Sequence, residues 1–324
     1  MAHYFPARIL TGALILAVAG CDPSPAPREE ARLASVDITA VESHIDAAQR
    51  KLAGDLMTAM AALTAATDQF LQNPSDASLL TARTAWHDAH RRFAALALLL
   101  GRREDNDEID VWPIEPGFLD TLPGYPASGI VGDEVITISL ATLRAQHGIT
   151  HPSEASLGFH PAEYFLFERA LSDFEETAAN LRRRQTLELI VRHLEASVQA
   201  FVEREAATSG GSKGERLEAI LARHRVALQT AVAEIGRHGD GADIHPGFSS
   251  QAPGVIELLW TTLGDLYAQE EPLGAAITAI DPAIATEIRR NLEHGADERI
   301  QGVFTLPLNM TTLGDQLRMI ELRL

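Results

Sequence analysis

The stretch LAGDLMTAMAALTAATDQF, residues 52–70, decides the class of fold. Its large apolar side chains recur at intervals of three, four or seven positions, which places them on one face of an α-helix. The chain then breaks at Asn73-Pro74-Ser75, and a second apolar stripe runs over residues 79–97 towards Gly101, a residue suited to end a helix. Two such helices joined by a short turn predict antiparallel packing in a helical bundle.

The rest of the chain repeats this helical pattern. Further helices are expected at residues 133–147, 161–171, 186–205, 214–236, 254–269, 282–292 and 311–322. Between them, residues 102–132 are rich in proline, glycine and acidic side chains and predict a long ordered loop with short helical turns. No stretch alternates apolar and polar residues over the length of a strand. The prediction is therefore an all-α protein of about nine helices in bundle packing.

The N-terminus has the anatomy of an export signal. Arg8 precedes an apolar run at residues 9–19, which is too short for a permanent membrane-spanning helix. The sequence VAGC at residues 18–21 resembles the lipobox of bacterial lipoproteins. We therefore expect a signal peptide at residues 1–20 and lipidation of Cys21, which would anchor the chain to a membrane. An ordinary signal peptide with an incidental cysteine is the alternative.

The residues that follow predict a place in the bacterial cell envelope. Residues 21–34 are rich in proline and charge, as in a flexible tether, and the folded domain is expected at residues 35–324. Asp22 resembles a signal for retention at the inner membrane. This favours a lipid-anchored protein that faces the periplasm.

Charge and cysteine content narrow the choice of ligands. The net charge of −18 argues against nucleic acid as a partner, because phosphates would be repelled, and it is compatible with cationic ligands. Cys21 is the single cysteine of the sequence, so the lipidated chain would have no thiol for a disulfide or a thiolate metal site. Imidazole and carboxylate remain as the strong metal ligands.

The stretch GFHPAE, residues 158–163, carries the main candidates for metal ligands, His160 and Glu163. Pro161 fits the first position of a helix, which would put His160 at the cap and Glu163 at the third helical residue. Side chains three positions apart on a helix share a face, so the imidazole and the carboxylate could bind one cation. Alternatively, Glu163 caps the free N–H groups of the helix and His160 is an ordinary loop histidine.

Gly158, His160 and Glu163, followed by YFLF, resemble the GxHxxE motif of the imelysin-like family, also called peptidase M75. Trp86 and His90 lie in a stretch similar to the first conserved helix of that family. The sequence IDVWP at residues 109–113 resembles its IDxWP segment.

This resemblance implies an all-helical protein of two packed bundle halves. The glycine-rich break at residues 208–214 places their boundary near 205–215. The resemblance also implies export to the periplasm or cell surface, metal binding by His160 and Glu163, and a link with iron uptake or with metallopeptidase activity.

His90, Asp110 and Glu115 are weaker candidates for metal ligands. His90 lies on the apolar stripe of its helix, where a buried core histidine is the alternative, and it stands where the family commonly has arginine. Asp110 and Glu115 lie in the acidic loop, and carboxylates suit hard cations such as ferric iron. A solvated loop or a helix cap would also explain these two side chains.

These features predict an extracytoplasmic metal-binding lipoprotein of the imelysin-like family, with iron or zinc, divalent or ferric, as the ion. The expected role is that of an accessory factor that acts with membrane proteins of iron uptake. The alternatives are a metallopeptidase of the M75 type and a structural or interaction lipoprotein without a metal. The sequence has neither the HExxH signature nor a GxSxG elbow, which favours binding over catalysis.

Overall fold

The computed structural model describes residues 32–101, 108–204, 210–237, 252–301 and 306–324. Across these ranges the chain forms helices and no β-strand, which confirms the all-α prediction. The predicted signal peptide, Cys21 and the tether up to residue 31 lie outside the described residues, as do residues 102–107 of the acidic loop. The expected boundary between two bundle halves stays a prediction.

The first two helices, α1 (Ile38–Gln72) and α2 (Asp76–Leu100), form the predicted pair. Ser75 and Ser78 cap the start of α2 through a reciprocal pair of hydrogen bonds. Gly101 ends α2 with a φ of 64°, the left-handed conformation expected of a glycine at that position. The pair buries the apolar face that predicted the fold: Leu56, Met60, Leu63 and Phe70.

Short helices follow where the chain leaves this pair. They are α3 (Pro116–Leu119), α4 (Gly129–Gly132), α5 (Leu140–Gln146), α6 (Phe159–Phe167) and a 3-10 turn (Leu171–Phe174). The first two of these agree with the prediction of an ordered loop that contains short helical turns. α6 covers most of the helix predicted at 161–171.

The prediction of one helix over residues 133–147 is wrong for residues 133–139. α5 begins only at Leu140, after a turn in which the N–H of Val135 donates to the side chain of Asp133 at 2.9 Å. Arg182 donates to four backbone oxygens of this region, those of Ile130, Val131, Asp133 and Ile136. These carbonyl groups therefore find their hydrogen-bond donor in an arginine side chain and not in a continuing helix.

Six further helices make up most of the remaining described chain: α7 (Ala178–Glu203), α8 (Lys213–Arg237), α9 (Ala252–Leu266), α10 (Pro272–Ile280), α11 (Pro282–Gln301) and α12 (Leu306–Glu321). α7 starts earlier than predicted because the side chain of Thr177 caps it by accepting from the N–H of Asn180. α10 was not predicted, since its sequence PLGAAITAI has almost no polar residues to mark a helical period.

α2 occupies a central position in the packing. It lies against α1, α6, α8 and α9, while α1 also contacts α7, and α12 packs between α8 and α11. In the part of the chain that the structure describes, no helix combines the length and the apolar character needed to cross a bilayer. The contact between α2 and α6 places His90 beside the GxHxxE helix.

Candidate metal centre

α6 begins where two distant parts of the chain meet. Gly158 precedes the helix with a φ of 110°, a conformation that residues with a side chain rarely adopt. The N–H of Phe159 donates to the carbonyl oxygen of Ile109 at 2.8 Å. A Cβ atom at position 158 would lie only 2.7 Å from that oxygen, so the close approach requires glycine. This contact brings Asp110 next to the first turn of α6.

The predicted position of Pro161 is wrong by two residues. α6 starts at Phe159, so His160 is its second residue, Pro161 its third and Glu163 its fifth. The glycine with a positive φ, and not the proline, sets the start of the helix. His160 and Glu163 are both fully buried, at 0% exposure, which contradicts the interpretation of His160 as an ordinary loop histidine.

Three side chains converge at this point. The Nε2 atom of His90 lies 3.0 Å from Oδ1 of Asp110, and the Nε2 atom of His160 lies 3.2 Å from the same oxygen. One ligand atom from each residue lies within 4.8 Å of the others. Two imidazoles and one carboxylate form a donor set that suits divalent transition metals. Asp110 and His90, weaker candidates in the sequence, therefore lie together with His160.

Glu163 lies on the other ring nitrogen of His160. Its Oε2 atom is 2.7 Å from Nδ1, whereas Nε2 faces Asp110. In metal sites a carboxylate that binds one nitrogen of a histidine commonly orients the ring, so that the second nitrogen can bind the ion. In this arrangement Glu163 is suited to orient His160. Joint coordination of one ion by both side chains stays a prediction.

His160 is positively charged when no metal is bound. Burial alone would lower the pKa of His160, but the hydrogen bonds and charges of Asp110 and Glu163 outweigh it and raise the pKa to about 9. At neutral pH the ring is therefore an imidazolium that donates one N–H to each carboxylate. A metal ion bound at Nε2 would replace one of these protons, because a ligand nitrogen must be deprotonated.

Aromatic rings enclose the group. The indole ring of Trp86 stacks on His90, with ring centres 4.8 Å apart and planes 12° apart, and its Nε1 donates to the backbone oxygen of Phe159 at 2.9 Å. The ring of Trp112 lies 4.9 Å from that of His160. His90 is 1% exposed, as its place on the apolar stripe predicted. These rings keep bulk water away from the charged side chains and so strengthen their interactions.

Glu115 is not part of this group. It is exposed and precedes α3 at the cap position, where its side chain makes no capping hydrogen bond. Its backbone N–H donates to the oxygen of Ser153 at 2.7 Å. The structure therefore brings together His160, His90 and Asp110 from the predicted candidates, with Glu163 behind His160, and leaves Glu115 outside.

Sequence reasoning missed a further contact between a histidine and a carboxylate beside the site. The Nε2 atom of His193, on α7, lies 3.0 Å from Oε2 of Glu108, two residues before Asp110. Burial would raise the pKa of Glu108, but the hydrogen bond from His193 and the charge of Arg144 lower it below its ordinary value. The two residues are 85 positions apart, and no local motif marks either of them.

Another buried histidine, His224 on α8, packs in the hydrophobic core. Its Nδ1 atom lies 2.8 Å from the hydroxyl oxygen of Tyr267, and the residue is 1% exposed. Burial, reinforced by the charge of Arg223, lowers the pKa of His224 to about 3. The ring is therefore neutral at all physiological pH values.

The fold and the site define a class of all-helical proteins in which a GxHxxE helix borders a candidate metal centre. The family model of imelysin, peptidase M75, matches residues 48–303, and the chain belongs to this family.

A similar solved structure is described as an iron-regulated protein A precursor from Parabacteroides distasonis ATCC 8503. The two chains are 14% identical, with a TM-score of 0.54, and the similarity covers 94% of this chain and 97% of the other. At this identity the likeness shows a shared fold. No curated protein sequence matches the chain significantly.

Proposed function

We propose that this chain is an extracytoplasmic imelysin-family protein that binds one divalent transition metal ion through His90, Asp110 and His160. The observation that carries the proposal is the convergence of two Nε2 atoms and one carboxylate oxygen within 4.8 Å in a buried position. In this proposal Glu163 orients His160 and keeps its ring basic. The ion supplies a positive charge that replaces the proton of His160.

Iron is the ion that the proposal favours. Two imidazoles with one carboxylate suit Fe²⁺ and Zn²⁺. With Glu115 outside the group and Glu163 on Nδ1, the site contributes one carboxylate, which favours Fe²⁺ over the harder ferric ion. The similar structure from Parabacteroides distasonis is described as iron-regulated, which supports a role in iron uptake. Within the proposal, Cys21 anchors the protein to the inner membrane, where it serves uptake proteins from the periplasmic side.

Metal binding is favoured over peptidase activity by the position of Glu163. A metallopeptidase needs an open metal position and a general base beside the metal-bound water. Glu163 contacts Nδ1 of His160, and not the nitrogen that faces Asp110, so its carboxylate orients a ligand instead of activating water. The family name peptidase M75 is the support for the alternative.

The proposal is tested by titrating the purified full-length protein with Fe²⁺ under anaerobic conditions and with Zn²⁺. We expect one ion per chain in the wild type and a loss of affinity of about 100-fold in Asp110→Asn, since a neutral amide replaces the charged ligand. Glu115→Gln is the matched control, because it removes an exposed carboxylate of the same loop, and it should bind as the wild type does. Equal binding by the wild type and Asp110→Asn would exclude this site.

The peptidase alternative has its own test. The metal-loaded wild type and Asp110→Asn are each incubated with an unstructured polypeptide, with and without a chelator, and the products are followed by mass spectrometry. We expect the polypeptide to remain intact. Cleavage by the wild type that stops in Asp110→Asn and with the chelator would instead support a metallopeptidase.

A further inference from the structure

We infer that His193 is a positioning residue for the metal centre: through Glu108 it holds the segment that carries Asp110 in place. This inference rests on the proposed metal-binding function and extends it to a residue of α7, outside the group of ligands. The side chain of His193 contacts Glu108 and Ser197, so its effect on the metal centre would pass through residues 108–110.

The first point of attachment is the backbone of this segment. The carbonyl oxygen of Ile109 accepts the N–H of Phe159 at 2.8 Å, directly beside Gly158. This bond ties the segment to the start of α6, from which His160 projects. The side chain of Ile109 is also buried in the core, at 4% exposure, so residue 109 is held firmly and Glu108 lies directly before this point.

The second point of attachment is the side chain of Glu108. Its Oε2 atom lies 3.0 Å from Nε2 of His193, which is 6% exposed, and Oγ of Ser197 lies 3.2 Å from the same nitrogen. Arg144 also approaches Glu108, at 3.4 Å, but its side chain is 54% exposed. Solvent screens the arginine contact, so the buried histidine provides the firmer hold.

Asp110 needs both attachments because it contacts two helices at once. Its Oδ1 atom lies 3.0 Å from His90 on α2 and 3.2 Å from His160 on α6. The two histidines are fixed by their helices, whereas Asp110 comes from a segment without regular secondary structure. A small rotation of residues 108–110 would separate its carboxylate from one of the rings. Loss of such supporting contacts typically weakens metal binding by about 10- to 100-fold.

The test compares His193→Leu with His193→Gln in the full-length protein, with Co²⁺ as the probe. Leucine removes the hydrogen bond to Glu108, whereas glutamine carries an N–H donor at a similar distance from the backbone. We expect His193→Leu to bind Co²⁺ about 10-fold more weakly and to change the visible absorption of the bound ion, which reports its coordination geometry. His193→Gln should restore both properties, and His151→Gln, in an exposed loop, should change neither.

A second measurement does not depend on metal. In the metal-free protein, hydrogen exchange of the Phe159 amide reports the bond to Ile109. We expect faster exchange in His193→Leu than in the wild type, and near wild-type exchange in His193→Gln. If His193→Leu fails to fold, Glu108→Ala removes this contact from its more exposed side, together with the solvent-screened contact of Arg144, and should give the same results.

The outcomes separate this inference from the proposed function. If the wild type binds Co²⁺ and His193→Leu matches it in affinity and absorption, the positioning role is overturned and the metal site stands. If the wild type binds none of the ions tested, the proposed function fails. In that case unchanged exchange at Phe159 in His193→Leu would overturn the attachment as well, and faster exchange would support it.

Discussion

At the scale of single residues, the two ring nitrogens of His160 contact different carboxylates and have different roles in the proposed site. Nδ1 contacts Glu163 and Nε2 faces Asp110, so the ring connects an orienting carboxylate with the proposed metal position. The sequence predicted that His160 and Glu163 belong together, because three positions on a helix bring side chains to one face. It could not predict which nitrogen each carboxylate would approach, since that depends on the contact between Ile109 and Phe159.

The raised pKa of His160 predicts that metal binding weakens in acid. Below its pKa of about 9, the metal-free ring is protonated, and each bound ion must displace that proton. The apparent association constant should therefore fall about tenfold for each pH unit between 8 and 6. Titration with Zn²⁺ in buffers of different ionisation enthalpy should show about one proton released per ion. An affinity that is constant over this range would contradict protonation of His160.

The lowered pKa of His224 predicts that the free energy of unfolding also depends on pH. Its folded pKa of about 3 lies below the unfolded value, so the unfolded chain binds a proton that the native core excludes. This contribution to the free energy of unfolding is complete above about pH 6.5 and is lost as the pH falls towards 3.

We therefore expect His224→Gln to lose about 2 kcal/mol less stability than the wild type between pH 7 and pH 5. Urea unfolding at the two pH values measures this difference. His151→Gln, a substitution of an exposed histidine, should retain the pH dependence of the wild type. An identical pH dependence in His224→Gln and the wild type would show that His224 is not neutral in the core.

At the scale of elements, the amphipathic helices could be predicted because their periods are local. α1, α2, α8 and α12 each carry an apolar stripe that can be read from neighbouring positions. The segment at 133–139 could not be predicted, because the backbone oxygens of Asp133 and Ile136 accept from Arg182, about 50 positions away. The attachment of Glu108 to His193 was missed for the same reason, since only the fold brings the two residues together.

The backbone conformation of Gly158, at the start of α6, predicts what the addition of a single methyl group would do to stability and metal affinity. Gly158→Ala would force a residue with a side chain into a φ of 110° and place its Cβ 2.7 Å from the oxygen of Ile109. We expect the free energy of unfolding to fall by about 3 kcal/mol, from the strain and the clash together. Metal affinity should fall as well, because the segment that carries Asp110 must move.

Gly101→Ala is the matched control for this prediction. Gly101 also has a positive φ, of 64°, but the nearest atom to a Cβ there lies at 3.6 Å. Its alanine variant should lose about 1 kcal/mol of stability and retain the metal affinity of the wild type. Denaturant unfolding and Zn²⁺ titration of both variants measure the two effects. Equal metal affinity in Gly158→Ala and the wild type would contradict the role of this contact.

At the scale of the whole molecule, the proposed lipid anchor predicts where the protein is found. Cys21→Ser removes the thiol that lipidation requires, so the variant should move from the membrane fraction to the soluble fraction of the cell envelope. Immunoblots of the separated fractions measure the change, and mass spectrometry of the wild type should show a lipid on Cys21. A wild type that already fractionates as soluble protein would favour the ordinary signal peptide.

The spread of the ligands along the chain determines where an ion can be loaded. His90 and His160 lie 70 positions apart, and Asp110 comes from a segment between them, so an unfolded chain presents no assembled site. A polypeptide that crosses the inner membrane in extended form would therefore arrive empty. Under the proposed export, its ion must be taken from the destination compartment, and occupancy would report the metal supply there and not that of the cytoplasm.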